Sequence, residues 1–203
     1  MVQDIDILIM CSGKCGSTTL YQTFNKLGYK CLKIHSQRDY INQFKEDKLF
    51  ETINNSCKNK KLIIIDSYRT PIERKISSFF QNIHITIPNY KKLSINQLIN
   101  IFNNEYLYKI EEYHSINDVL NHYNLPLFKS FNHKRKYNKL LKNNKIFIKL
   151  LYKDIKDWNI ILKKIFKENI NIINNNLSNK KDYYSIYNEF KQKYTVPKKY
   201  LND

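Results

Sequence analysis

The chain holds 203 residues, with Lys+Arg 35 against Asp+Glu 18 and a formal charge of +17 at pH 7. That length suits one domain with a real core, so 1–203 is read as a single domain; 42% apolar residues and a negative mean hydropathy exclude both an integral membrane protein and a disordered chain. The charge asks for an anionic partner without choosing among nucleic acid, anionic glycan, membrane surface and phosphorylated ligand.

Alanine is absent, Gly and Pro number 3 and 4, and Lys, Asn, Ile and Tyr abound. An AT-rich gene yields this bias, because Gly, Ala, Pro and most Arg codons are GC-rich. The lysine excess is therefore discounted as evidence for nucleic acid, and each remaining glycine and arginine carries more weight. The chain does not open on a basic stretch followed by an apolar one, and no apolar run nears the ~18 residues of a membrane span, so a cytoplasmic protein is expected. Cys11, Cys15, Cys31 and Cys57 have neither metal-pair nor disulfide-scaffold spacing and read as reduced thiols, most of them buried.

Ile5 to Cys11 ends in an apolar run that predicts a strand buried on both faces. It leads into Ser12-Gly13-Lys14-Cys15-Gly16-Ser17-Thr18-Thr19, after which Leu20, Phe24 and Leu27 recur at helical spacing. Gly28 stops that helix and Tyr29 to His35 alternates as a second strand. Residues 39–59 read as one or two surface helices, and Lys61 to Asp66 repeats the buried-strand signal. Pro71 suits a first helical position, with Ile72, Ile76, Phe79, Phe80 and Ile83 on one face behind it.

Residues 88–140 read as helical, with Ser94/Gln97 and Ser115/Asp118 as N-terminal caps and a break at Leu125-Pro126. Ile146 to Tyr152 is a further strand, followed by a helix bearing Trp158, Ile161, Leu162 and Ile165. Tyr183, Tyr184, Tyr187 and Phe190 are spaced like one more helix. Strands separated by helices predict an α/β fold: an open, mainly parallel sheet of about four or five strands flanked by helices, with a helical middle region.

Between a strand and a helix N-terminus, residues 13–19 expose backbone N–H groups to an anionic oxygen, Lys14 adds a charge, and Ser17, Thr18 and Thr19 add hydroxyls. The loop is not a Walker A motif, because Lys14 precedes Gly16. Arg69 stands at the carboxyl end of the third strand, where open α/β sheets bind ligands, and Ser77 follows on the helix.

Together the two segments resemble the sulfotransferases that use 3′-phosphoadenosine-5′-phosphosulfate (PAPS). Lys14, Gly16, Ser17 and Thr18 match the Lys-x-Gly-[Ser/Thr]-Thr loop, which in that family holds the 5′-phosphosulfate. Arg69, Pro71, Arg74, Ser77, Phe79 and Phe80 match the Arg-x-Pro-x-x-Arg-x-x-Ser-aromatic motif that holds the 3′-phosphate. The run from Arg69 to Asn82 is closest to the capsular-polysaccharide branch, with Thr70 where an Asp is usual. Leu151-Tyr152-Lys153-Asp154-Ile155 looks like the family's Tyr-Glu-Asp-Leu segment, with Lys153 in place of Glu. Asn176, Lys181, Tyr183, Tyr184, Tyr187, Phe190 and Lys191 look like its closing element, interrupted by Asp182.

The resemblance implies a P-loop-like sulfotransferase fold that moves a sulfuryl group from PAPS to an acceptor hydroxyl, of a carbohydrate by preference, and needs no metal. Lys14 and His35 are the expected catalytic pair, Lys14 neutralising the leaving oxygen and His35, at the end of the second strand, taking the acceptor's proton. Lys14, Cys15, Gly16, Ser17, Thr18, Thr19, Arg69 and Ser77 are the expected nucleotide-binding set. Asp39 and Asp66 stand behind His35. His84, His114, His122 and His133 lack ligand spacing, and His133-Lys134-Arg135-Lys136 reads as a solvated basic face. The competing readings are a nucleotide-binding kinase or NTPase and a non-catalytic basic module that binds polyanions.

Overall fold

The computed structural model describes residues 4–109, 116–173 and 181–202. In chain order the elements are β1 (Ile7–Met10), α1 (Ser17–Lys26), β2 (Cys31–Ile34), α2 (Gln37–Phe44), α3 (Leu49–Ser56), β3 (Leu62–Tyr68), α4 (Pro71–Thr86), α5 (Ile95–Ile101), α6 (Ile116–His122), β4 (Tyr137–Lys142), β5 (Lys145–Leu151), α7 (Trp158–Phe166), α8 (Tyr184–Lys193) and α9 (Lys198–Asn202). They fall into two compact units, Met1–Arg69 with Tyr113–Asn175 and Thr70–Glu112 with Asn176–Asp203.

The first unit carries a five-stranded sheet in the order β2-β1-β3-β5-β4. β1 runs parallel to β2 and β3, β3 parallel to β5, and β4 antiparallel to β5. Period-two alternation sorts the side chains. Leu8, Met10, Ile64 and Phe147 face α2, α3 and α6, burying Tyr40, Leu49, Ile53, Ile116, Val119 and Leu120. Ile7, Ile9, Cys11, Ile65 and Ile148 face α1 and α7, burying Leu20, Phe24, Trp158, Ile161 and Leu162. Apolar strand runs are thus the signature of a sheet covered on both sides.

The mainly parallel sheet agrees with the sequence expectation, but the middle of the chain is less helical than expected. Tyr137–Lys142 forms β4, an antiparallel edge strand. The cause is Asn143-Asn144, at φ 46 and 58, which closes a two-residue hairpin between Lys142 and Lys145. The stretch 39–59 forms two helices as expected, yet α3 is not a surface element, since it buries Leu49, Thr52, Ile53 and Ser56. All four cysteines are unbridged; Cys11, Cys15 and Cys57 are buried and Cys31 is half-buried.

The second unit is helical. Pro71 opens α4, the Thr70 hydroxyl accepts from the Glu73 N–H at 3.4 Å, and Ser94 with Gln97 forms a capping box on α5. Its core is aromatic: Phe79, Phe80, Phe102, Tyr187 and Phe190 pack edge to face or tilted, Phe80 and Phe190 at 5.1 Å between ring centres. The aromatic positions of the Arg69–Asn82 segment therefore have a packing role of their own. Ser115, paired with Asp118 in the sequence reading, lies outside the described residues. So do Asn176 and His114.

Candidate functional site

The strand order creates a switch point. From β1 the chain crosses by α1 to β2 on one side, and from β2 it returns by α2 and α3 to β3 on the other. Connections leaving β1 and β3 in opposite directions open a crevice at their carboxyl ends, the usual binding place of open α/β sheets. The loop bearing Lys14 follows β1, Arg69 follows β3, His35 follows β2 and Tyr152 follows β5. One rim of the sheet thus presents, in spatial order, His35, the Lys14 loop, Arg69 and Tyr152.

The loop enters α1 through residues with left-handed backbone, Lys14 at φ 68 and Gly16 at φ 85. Gly16 is the residue before the helix and supplies no side-chain cap. The first intrahelical bond is Leu20 N–H to the Gly16 carbonyl at 3.1 Å, so the N–H groups of Ser17, Thr18 and Thr19 are left without helical acceptors. The first turn carries no acidic residue, so the helix dipole is not offset there. Ser17 and Thr19 are buried and Thr18 is half-buried, which makes Thr18 the hydroxyl best exposed to a ligand. The Cys15 thiol, also buried, donates to the Gly13 carbonyl at 3.6 Å.

Gly16 has a structural reason to be glycine beyond the close approach of a ligand. A Cβ there would stand 2.9 Å from Trp158 Cη2 and 3.2 Å from Tyr152 Cδ2, in a backbone conformation that disfavours side chains. Trp158 cannot easily withdraw, being fully buried with its indole N–H donating to the Leu151 carbonyl at 3.0 Å. Gly16→Ala is therefore expected to lower stability by roughly 2–5 kcal/mol, the sum of left-handed strain and overpacking. Gly13→Ala, with nothing within 4 Å of the added Cβ, is expected to change it far less. Urea denaturation of the two variants checks this, and similar midpoints would contradict it.

Arg69 is only 8% exposed. Its Nη1 donates to the Lys14 carbonyl at 3.2 Å, and its guanidinium lies 4.6 Å from the centre of the Tyr152 ring. The two sequence segments singled out for phosphate binding therefore touch. Ser77 and Arg74 belong to the second unit, both on α4, Ser77 half-buried and Arg74 buried.

His35 is half-buried, and its Nδ1 lies 2.7 Å from the Cys11 carbonyl oxygen. A carbonyl only accepts, so Nδ1 carries a proton, and in the neutral ring it is Nε2 that holds the lone pair. The His35 backbone N–H donates to Asp39 Oδ2 at 2.9 Å, and the Asp39 N–H donates to Ser36 Oγ at 3.0 Å. Asp39 is thus engaged in fixing the turn into α2. Asp66 is fully buried in β3 opposite Lys149, and burial pushes its carboxyl up to about 7 despite the Lys149 charge. Burial likewise pushes the Cys11 thiol well above its ordinary value, reinforced by Asp66 and Cys15.

The remaining candidates have structural settings. His122 stacks on Phe50 at 3.4 Å between ring centres, and His133 packs edge-on against Phe131. His84 is exposed on α4. His133, Lys134 and Arg135 are exposed, whereas Lys136 pairs with Asp157 at 2.6 Å. Among the described residues no group of three or more His, Cys, Asp or Glu is arranged to hold a metal ion, and no helix is long and apolar enough to cross a membrane.

Sequence reading missed Tyr152 and Trp158 as parts of the loop's support. Its aromatic signal was visible, but the contact with Gly16 depends on β5 lying two strands from β1. Comparison with known proteins adds no relative: no protein-family model, curated protein or solved structure matches this chain.

Proposed function

We propose that the chain is a sulfotransferase that moves a sulfuryl group from PAPS to an acceptor hydroxyl, of a carbohydrate by preference. The observation that carries this reading is the convergence of the Lys14 loop and Arg69 at the β1–β3 switch point, where Arg69 donates to the Lys14 carbonyl. The donor set suits an anionic nucleotide: unshared helix N–H groups at Ser17 to Thr19, the Thr18 hydroxyl, and two cations. His35 adds a lone pair at Nε2 on the neighbouring strand end.

The donor, when bound, supplies the sulfuryl group, whose bond to the nucleotide phosphate oxygen breaks as the acceptor oxygen bonds to sulfur. Lys14 holds an ammonium where negative charge gathers on the departing oxygen. The His35 Nε2 takes the acceptor's proton, and the Cys11 carbonyl, accepting from Nδ1–H, stabilises the imidazolium that results. The loop N–H groups fix the nucleotide so that little rearrangement accompanies the transfer.

Isothermal titration with 3′-phosphoadenosine-5′-phosphate tests the reading. The wild-type chain is expected to bind it, and Lys14→Gly, which tolerates the positive φ, to bind about tenfold or more weakly through loss of one charge-assisted contact. Equal affinities would remove the loop from the site. Magnesium-dependent hydrolysis of nucleoside triphosphates would favour a kinase or NTPase. Steeply salt-dependent polyanion binding without competition from the nucleotide would favour a non-catalytic basic module.

A further inference from the structure

Tyr152 belongs to none of the chemistry assigned so far, yet three contacts meet on its ring. The Arg69 guanidinium lies 4.6 Å from the ring centre, the Tyr152 Cδ2 stands 3.2 Å from where a Gly16 Cβ would be, and Trp158 packs edge-on at 6.4 Å. Arg69 in turn donates to the Lys14 carbonyl. A closed circuit therefore joins the Lys14–Gly16 loop, the end of β3 and the end of β5. Each contact limits the others, because an arginine held over an aromatic face has fewer orientations open to its planar fork, which restricts where its N–H groups can point.

We propose that Tyr152 is a positioning residue for the anion site: its ring holds Arg69 against the Lys14 carbonyl and thereby sets the loop whose N–H groups receive the nucleotide. The inference rests on the functional reading given above. The working feature is the ring face, not the hydroxyl. Tyr152→Phe keeps that face, whereas Tyr152→Leu keeps much of the volume and removes it.

The test is a double-mutant cycle on affinity for 3′-phosphoadenosine-5′-phosphate, using Tyr152→Leu, Arg69→Gln and the pair. Tyr152→Phe is expected within about twofold of wild type, and Tyr152→Leu about tenfold weaker, in line with a desolvated cation–aromatic contact. In the Arg69→Gln background, Tyr152→Leu is expected to add less than about twofold, because the residue it acts through is gone. Full multiplication of the two losses would overturn the proposal, since Tyr152 would then act through the fold at large.

Amide hydrogen exchange on the ligand-free variants supplies a second measurement that needs no nucleotide. Tyr152→Leu and Arg69→Gln are expected to speed exchange in residues 13–18 alike, while the amides of β1 and β3 stay protected. Faster exchange spread evenly through the sheet would overturn the proposal. A wild-type chain that binds no nucleotide would take down the functional reading and this inference with it; binding with a null cycle would take down this inference alone.

Discussion

Replacing His35 by alanine is expected to slow sulfuryl transfer by about 10²–10⁴-fold, the usual worth of a positioned general base, while affinity for 3′-phosphoadenosine-5′-phosphate changes little. The split follows from geometry. His35 directly follows β2, the strand beside β1, and its Nδ1–H is held by the Cys11 carbonyl at 2.7 Å, so the ring can neither turn nor change tautomer without losing that bond. Its backbone is pinned in parallel by Asp39. The ring's other nitrogen is thereby presented as an acceptor and makes no contact needed to hold the nucleotide.

His35→Asn sharpens the test, because its side-chain amide can still donate to the Cys11 carbonyl while offering no basic nitrogen. It is expected to retain the fold and nucleotide binding and to be as slow as the alanine variant. A steady-state transfer assay with labelled donor, run beside titration calorimetry, reads both quantities. Transfer at the wild-type rate in His35→Asn would remove the residue from the proton path. A fall in binding equal to the fall in turnover would recast it as a support for the loop.

Replacing Asp66 by asparagine is expected to stabilise the protein above about pH 4, with the full effect from neutral pH upward. Asp66 is completely buried; its Oδ2 accepts a long bond of 3.4 Å from the Ile116 N–H, and Oδ1 has no partner among the described residues. Desolvation is the first cause that raises its carboxyl, from 3.8 to about 7, and Asp118 adds to it. Lys149 and the backbone N–H groups of Ile116 and Ser67 act in the opposite direction.

The sign follows from proton counts. Below about pH 4 the carboxyl is protonated in both states and exerts no net effect. Between about 4 and 7 the unfolded chain has released the proton while the folded chain retains it, so the unfolded state gains ground as pH rises. Above about 7 both are ionised and the penalty is constant, on the order of 4 kcal/mol at most for a shift of about three pK units. Asparagine does not titrate and escapes that penalty. Thermal unfolding is expected to show the variant on the order of 10 °C above wild type at pH 8, and close to it at pH 4. The same difference at both pH values would mean that ionisation of Asp66 is not responsible.

These two residues also show how far local sequence reaches. His35 was legible as a strand-end imidazole from the alternation of Tyr29 to His35. That its ring meets the end of β1 was not, because the meeting depends on β2 pairing with β1 through Ile7↔Cys31 and Met10↔Ile34. Asp66 reads as the last residue of the third strand, which in fact runs on to Tyr68, so the carboxylate lies inside the sheet rather than at its rim. The β4 hairpin was missed although Asn143-Asn144 signalled it, since the polar alternation of an edge strand at Tyr137–Lys142 is weak beside a buried one. Arg69 was legible as a cation at a strand end, but not as one seated on an aromatic ring.

The amino-acid sequence by itself determined the α/β class, the two-sided burial of the parallel strands, the helix behind Pro71 and the glycine loop before α1. Each of these rests on period, cap or backbone preference within a dozen residues. Only the tertiary structure decided that β3 lies against β1, that Arg69 reaches the Lys14 carbonyl, and that Trp158 and Tyr152 occupy the space a Gly16 side chain would need. Parallel pairing joins segments separated by whole helices, and its register is chosen by the packing of the assembled sheet. No local window of the chain contains that information.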